Sequence, residues 1–304
     1  GTTLLRIMLA GHRDLFAASE LQLLHFRTLA ERAAAYSGPF SAWLDGTVRT
    51  LMEIDGLDAD AARAAMHAAE TDGMTTKRFF GQLQEAVAPR ILVDKSPSYA
   101  LDPAALRKAE AEFTDARYIH LVRQPLAMID SFERHHMEQV LYLDDHPFDS
   151  RGLAELIWTL SHRNTVEFLA GIPSDRWVRM RFEDLVRQPE AEMRTACDAL
   201  GLEYDPAVAR PYEYLEHKMI DGVYAESAPM GDPGFLAHGR IDVSAAEVGD
   251  AAITAPALGE ATLALAEELG YRRSEDGARD PRSDRRALAR QRSRRRAARG
   301  SSDG

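Results

Sequence analysis

Cysteine occurs once in 304 residues, so an internal disulfide is impossible. Cys197 is spaced with Met193 and Leu200 along one apolar helical pattern and is expected to be a buried core thiol. Sparing use of cysteine fits a reducing compartment, and a cytoplasmic location is expected. No run of about 18 consecutive apolar residues exists, so no membrane-spanning helix is expected. No signal peptide is visible and no segment repeats. Histidines do not fall at metal-ligand spacing: His135 and His136 are neighbours on a predicted helix and point apart, while His67 and His162 stand alone. What is present is a hydrophobic content of 45%, enough for a core in one large domain or two small ones.

Lysine is absent from the last stretch of chain. Residues 272–304 carry 12 Arg against 5 acidic residues, a net +7, which leaves −18 for residues 1–271 out of a total of −11. The body is acidic and the tail basic. The tail has no apolar periodicity and is rich in Arg, Ser, Asp and Gly, so it is expected to be disordered. It has no stacking aromatics, which argues against specific nucleic-acid recognition. An acidic partner is the sharper reading of it, and a solvated terminus the plainer one. The expected organisation is a domain over 1–271 and a tail over 272–304.

The chain opens on Gly1-Thr2-Thr3, which leads into an apolar run with helical spacing through Leu4, Leu5, Ile7 and Met8. A glycine and two hydroxyl residues before a helix describe a phosphate-binding turn, because backbone N–H groups and the helix dipole both favour an anion there. A core helix capped by Thr2 or Thr3 is the simpler alternative. The chain begins with Gly rather than Met, and no strand precedes the turn. Both features predict a piece of a longer protein.

A helix is expected from Leu21 to Ala35 with Ser19 as N-cap. Residues 41–88 read as a helical insertion of three segments. Ile91–Val93 is expected to be a short buried strand, followed by a helix from Pro103. Tyr118–Val122 is the next strand, leading to a helix from about Leu126 to Val140. A loop over 141–151, a long helix from Gly152 to Leu169 and a strand from Trp177 to Met180 follow. A short helix starts at Phe182, and a longer one runs from Glu190 to Leu200. Residues 204–249 look like an extended loop region, and a last helix spans about Pro256 to Leu269. Strands alternating with helices predict an α/β fold, a P-loop-like three-layer arrangement with a central parallel sheet.

In an open parallel sheet, ligands bind outside the carboxyl ends of the strands. The turn at Gly1, the segment Asp94-Lys95-Ser96-Pro97 and Arg123 should therefore share one edge. Arg grips phosphate through a planar fork and Lys through a compact charge. A nucleoside triphosphate site would want Gly-x-x-x-x-Gly-Lys-[Ser/Thr] and an acidic metal ligand. This turn has no Lys after its Gly, and only Asp94 ends a strand as an acid. That disfavours a kinase.

Four segments occur in order at fitting spacing: Gly1-Thr2-Thr3-Leu4-Leu5, Asp94-Lys95-Ser96-Pro97-Ser98-Tyr99, Leu121-Val122-Arg123-Gln124-Pro125 through Ser131, and Arg181-Phe182-Glu183-Asp184-Leu185. Over roughly residues 1–270 the chain resembles the sulfotransferase family that uses 3′-phosphoadenosine 5′-phosphosulfate (PAPS). It is most similar to bacterial members, including sulfotransferase domains of polyketide assembly lines. The resemblance implies that Gly1, Thr2, Thr3 and Leu4 surround the 5′-phosphosulfate, and that Arg123 and Ser131 hold the 3′-phosphate. It implies that Lys95 steadies the sulfuryl group or the bridging oxygen of the leaving phosphate.

Sulfuryl transfer needs a base, cations and in-line alignment, and requires no metal. Glu20 is the first candidate base; a first-turn helical Glu is its plainer reading. His238, in Phe235-Leu236-Ala237-His238, is the second, with a surface His as its alternative. Arg181 would face the cleft or pair with Glu183 or Asp184. The insertion at 41–88 and the loops at 141–151 and 204–249 would shape a pocket for a hydroxyl-bearing acceptor that is small, carbohydrate or carrier-tethered. A P-loop-type kinase, a non-catalytic nucleotide-binding module and a tail-driven interaction protein are the rival readings.

Overall fold

The computed structural model describes residues 1–137, 146–215, 218–224, 235–247, 253–254 and 258–274. The chain divides into two units, residues 1–251 and 252–304. In the first unit the opening apolar run forms helix α1 (Thr2–Leu9), with Gly1 as N-cap and Leu5 N–H bonded to the Gly1 carbonyl at 3.1 Å. Thr2 and Thr3 lie inside this helix and neither caps it, which corrects that expectation. Leu15–Ala17 forms strand β1, three residues too short to show a strand period in the sequence.

The helix expected from Leu21 to Ala35 does not start there. Four successive N–H groups are taken by side chains of the 94–99 segment instead. Leu21 bonds Asp94 Oδ1 at 3.4 Å, Gln22 bonds Ser96 Oγ at 3.1 Å, and Leu23 and Leu24 bond the Tyr99 hydroxyl at 2.7 and 3.3 Å. With those donors satisfied from outside, a helical ladder has nothing to gain. Gln22 turns into the left-handed region at φ 52°. Helix α2 (Leu29–Ala35) begins later, behind a capping box in which Thr28 and Glu31 bond each other's backbone N–H.

The insertion forms as expected: α3 (Asp45–Asp55), α4 (Ala59–Thr71) and α5 (Thr76–Val87). Asp58 and Thr75 cap the second and third of these, and Gly56 ends the first at φ 65°. Strand β2 (Ile91–Val93) runs parallel to β1, pairing Leu15 with Ile91 and Ala17 with Val93; it is not the buried strand expected, since Ile91 is exposed and Leu92 and Val93 are half-buried. Helix α6 (Pro103–Glu112) leads to β3 (Tyr118–Val122). Helix α7 (Pro125–Arg134) stops before the expected Val140. His135 and His136 therefore sit in a turn past its end, and residues 138–145 are outside the described part. Helix α8 (Ser150–Leu169) is capped by Asp149, whose side chain accepts from Gly152 N–H at 2.7 Å. Strand β4 (Trp177–Arg181) runs parallel to β3 in a register that pairs Val122 with Arg181. Helices α9 (Phe182–Arg187) and α10 (Pro189–Leu200) follow, the latter closing at Gly201 with φ 70°. Cys197 is a buried free thiol, as expected.

Among the described residues of the first unit the parallel strands hydrogen-bond as two pairs, β1 with β2 and β3 with β4. One core holds both. Leu5, Met8 and Leu9 of α1 meet Leu15 and Ala17 of β1, Met180 of β4, and Leu185 and Met193 behind them, with Val93, Ile119 and Leu121 packed alongside. Phe16, on the opposite face of β1, joins a second core with Leu21, Leu23, Val48, Leu51, Met66, Phe79 and Leu83. The period-2 alternation of β1 thus ties the helical layer to α1 across a three-residue strand. Among the described residues of the expected loop region 204–249, Pro206–Ala209 and Val243–Ala246 form 3₁₀ turns and Phe235–His238 a single α turn.

In the second unit β5 (Ile253–Thr254) pairs parallel with β6 (Arg273–Ser274), joined through helix α11 (Glu260–Glu268). Arg273 clasps Glu260 through two bonds of 2.8 and 3.0 Å, so the first residues of the basic stretch are structured. The remainder, 275–304, for which disorder is expected, lies outside the described residues, as do 255–257 at the expected start of the last helix. Among the described residues no helix is long and apolar enough to cross a membrane.

Candidate active site

Parallel register delivers two charged groups to one place. Ala17 pairs with Val93, and Ala18 N–H continues the ladder to the Val93 carbonyl at 3.0 Å. The chains leaving β1 and β2 therefore emerge side by side. Glu20 stands three residues past the first strand and Lys95 two past the second, and Lys95 Nζ donates directly to Glu20 Oε1. Side-chain exposure is 15% for Lys95 and 34% for Glu20, so the pair is shielded yet reachable. Because no helix begins at Ser19, the first-turn reading of Glu20 is overturned.

The loop that carries Glu20 is held by the motif that carries Lys95. The Asp94 carboxylate accepts from Ser96 Oγ at 2.8 Å and from the Tyr99 hydroxyl at 2.7 Å. Burial pushes this carboxyl up to about 6 against the pull of those hydrogen bonds. Ser98 Oγ donates to Gln22 Oε1, and His25 bridges Ser98 Oγ at 2.9 Å and Asp102 Oδ2 at 3.1 Å. Each polar side chain from Asp94 to Tyr99 except Lys95 thus binds the 21–25 loop or a neighbour that does. Lys95 is left facing Glu20.

A second group forms at the carboxyl ends of β3 and β4. The Arg123 guanidinium carbon lies 4.7 Å from the Phe182 ring centre, a cation–π stack. A Cβ on Gly1 would fall 2.3 Å from the same ring, so any other residue there would have to push Phe182 aside. The buried Glu183 carboxylate accepts the Gln124 N–H at 2.9 Å and fixes the turn that follows Arg123. The Trp158 indole N–H donates to the Arg123 carbonyl at 2.8 Å. Arg181 keeps company with Glu183 at 4.0 Å and Asp184 at 3.9 Å, the plainer of its two readings. Ser131 lies two turns into α7 and is partly buried.

Helix α1 joins the two groups. Gly1 abuts Phe182, and one turn later the buried Arg6 donates to the Ala17 carbonyl at 3.3 Å, to the Lys218 carbonyl at 2.8 Å and to the Met219 carbonyl at 3.2 Å. Burial lowers Arg6 to about 10, still protonated at neutral pH, and Glu20 offsets part of that burial cost electrostatically. Arg6, Phe182 and Tyr99 escaped the sequence reading as site-shaping residues. An arginine inside an apolar helical run was the available signal for the first. Leu4 is partly buried on α1 beside Phe182 and Val186. His238 is not brought to either group by any described contact. It is 51% exposed and lies 4.0 Å from Asp242. Among the described residues no group of three or more His, Cys, Asp or Glu side chains is placed to hold a metal ion.

This geometry sits beside an independent likeness. The model of a sulfotransferase family matches residues 1–206. The sulfotransferase domain from the curacin biosynthetic pathway superposes with a TM-score of 0.81 at 37% identity, covering 90% of this chain and 95% of that one. The sulfotransferase domain from the Synechococcus PCC 7002 olefin synthase superposes with a TM-score of 0.77 at 35% identity, covering 89% and 90%. No curated protein sequence matches the chain. The chain belongs to the sulfotransferase family.

Proposed function

We propose that this sulfotransferase moves the sulfuryl group of PAPS to the hydroxyl of an acceptor and releases adenosine 3′,5′-bisphosphate. The Lys95–Glu20 pair at the ends of β1 and β2 carries the reading: it sets a cation and a carboxylate in direct contact at the edge where such folds bind ligands. Glu20 takes the acceptor's proton. Lys95 neutralises charge on the leaving phosphate oxygen, an electrostatic contribution worth most in a shielded site. Gly1 to Leu4 and the start of α1 face the 5′ end of the donor, while Arg123 and Ser131 bind its 3′-phosphate. Arg181 adds positive charge near that group. His238 is the alternative base to Glu20. Transfer proceeds without a metal. The names of the two similar domains, from a biosynthetic pathway and an olefin synthase, support an acceptor handled on a multi-step assembly line, and so a carrier-tethered one.

Calorimetry with adenosine 3′,5′-bisphosphate and with ATP, both without magnesium, tests the donor. Selective binding of the bisphosphate is expected. Preference for ATP would turn the reading toward a kinase, and binding of neither would leave the family fold without a donor site. Turnover assays on Glu20→Gln and His238→Ala then separate the bases, since full activity in either variant removes that residue from the reaction.

A further inference from the structure

Glu20 is gripped on both sides of its loop by residues that touch no reacting group. On one side stands α3 of the helical layer. A Cβ on Gly46 would fall 1.9 Å from the Glu20 carbonyl oxygen and 2.7 Å from its carbonyl carbon, distances side chains do not tolerate. The helix backbone therefore rests directly on the Glu20 peptide. Thr50 Oγ1 bonds the Gly46 carbonyl at 2.7 Å and Thr47 Oγ1 the Leu44 carbonyl at 2.8 Å, so this turn of α3 is itself braced. On the other side the Tyr99 hydroxyl accepts the Leu23 and Leu24 N–H groups while donating to Asp94. Between these supports Gln22 is held at φ 52°, a conformation non-glycine residues avoid unless the surroundings impose it.

We infer that Gly46 and Tyr99 are positioning residues for Glu20, the first by allowing backbone contact and the second by anchoring the loop beyond it. The helical layer thereby sets where the base stands as well as covering the acceptor. This rests on the reading of Glu20 as base. A methyl at position 46 forces the contact to open from 1.9 Å to at least 3.0 Å, and on this inference it is the Glu20 peptide that gives way, taking its carboxylate off Lys95. A displacement of about 1 Å at a reacting group costs on the order of 100-fold in rate.

The test compares Gly46→Ala, Tyr99→Phe and Glu20→Gln, alone and combined, in turnover, in bisphosphate calorimetry and in thermal melting. Gly46→Ala should lower kcat by about 100-fold and Tyr99→Phe by about 10-fold, with bisphosphate affinity kept within about threefold because Glu20 does not bind the donor. Each should have almost no further effect in the Glu20→Gln background, since a misplaced base and an absent one are equivalent. Folded single variants with near-normal kcat would overturn the positioning role, as would effects that multiply fully with Glu20→Gln. If Gly46→Ala does not fold, Tyr99→Phe decides alone, because it keeps the ring and removes one oxygen. Full activity in Glu20→Gln itself would instead overturn the base reading, a result distinct from either of the others.

Discussion

Lys95 is the residue on which the proposed chemistry turns. Its hydroxyl-bearing neighbours Ser96, Ser98 and Tyr99 are spent on the 21–25 loop, and it alone of that motif meets Glu20. Lys95→Ala should cut turnover by about 100-fold or more while changing bisphosphate binding by no more than about threefold, because charge on the leaving oxygen develops only in the transition state. Equal losses in both would assign Lys95 to ground-state binding. Arg123 should behave in the opposite way. Its guanidinium lies over the Phe182 ring, and an arginine fork suits phosphate. Arg123→Ala should weaken the bisphosphate by about 10- to 100-fold and a 3′-dephosphorylated analogue by little, as calorimetry on the two ligands would show. Uniform weakening would place Arg123 elsewhere. The sequence motifs named these residues, but nothing in them showed that Lys95 and Glu20 touch, since 75 positions separate the two.

At the scale of elements, the segment from Ala18 to Ala35 shows where local grammar ended. Ser19 followed by an apolar run reads as an N-cap, yet the acceptors offered by Asp94, Ser96 and Tyr99 captured the N–H groups first. The cap that does form, the Thr28–Glu31 box, sits nine residues later. Thr28→Ala should reduce stability by about 0.5–2 kcal/mol, measurable by denaturant unfolding, and leave bisphosphate binding unchanged. A loss of binding would mean that α2 helps to hold the loop. Strand β3 and helices α4 and α5 were legible from their periods or flanking caps, and the three-residue β2 from an apolar run bounded by Pro89 and by Ser96-Pro97. Strand β1 was not, because its only distinguishing feature is its partner.

At the scale of the whole molecule, a histidine pair, with His120 buried and His162 half-buried, contributes to the response to acid. Arg179 Nε–H donates to His120 Nδ1 at 3.3 Å, and His120 Nε2 lies 2.9 Å from His162 Nδ1. Arg179 is always charged, so His120 must carry its proton on Nε2 and donate it to His162. Neither ring can take a second proton at a bonded nitrogen. Burial, then the partner's charge, lowers His120 to about 3, and burial with Arg179 lowers His162 to about 4. The unfolded chain binds protons here near pH 6.5 and the folded one does not, so stability is full above that pH and falls as pH drops toward 4. Asp94 opposes this: raised to about 6, it binds a proton in the fold first, so its contribution is lost as pH rises through 6. Two histidines against one carboxyl leave a net loss of about 1.4 kcal/mol per pH unit between pH 6 and 4.5. Urea unfolding over that range should show it, and His120→Leu/His162→Leu should abolish or reverse the slope. A variant with the same slope would trace acid sensitivity to other groups. His162 read alone in the sequence because its partner is 42 residues away.

By itself the sequence determined the class of fold, its alternating elements and four ordered motifs, since period, caps and glycine placement act over a few residues and survive without context. It also determined which side chains are chemically equipped: a carboxylate, a lysine, an arginine and a glycine-led helix. Only the tertiary structure decided which of them meet. Parallel register set Lys95 against Glu20, the absence of a Cβ let α3 rest on the Glu20 peptide and α1 on Phe182, and buried side-chain acceptors overrode a local helix. Those outcomes depend on distances between segments remote in the chain, and local propensities of about 1 kcal/mol per residue yield when burial and hydrogen bonding act together.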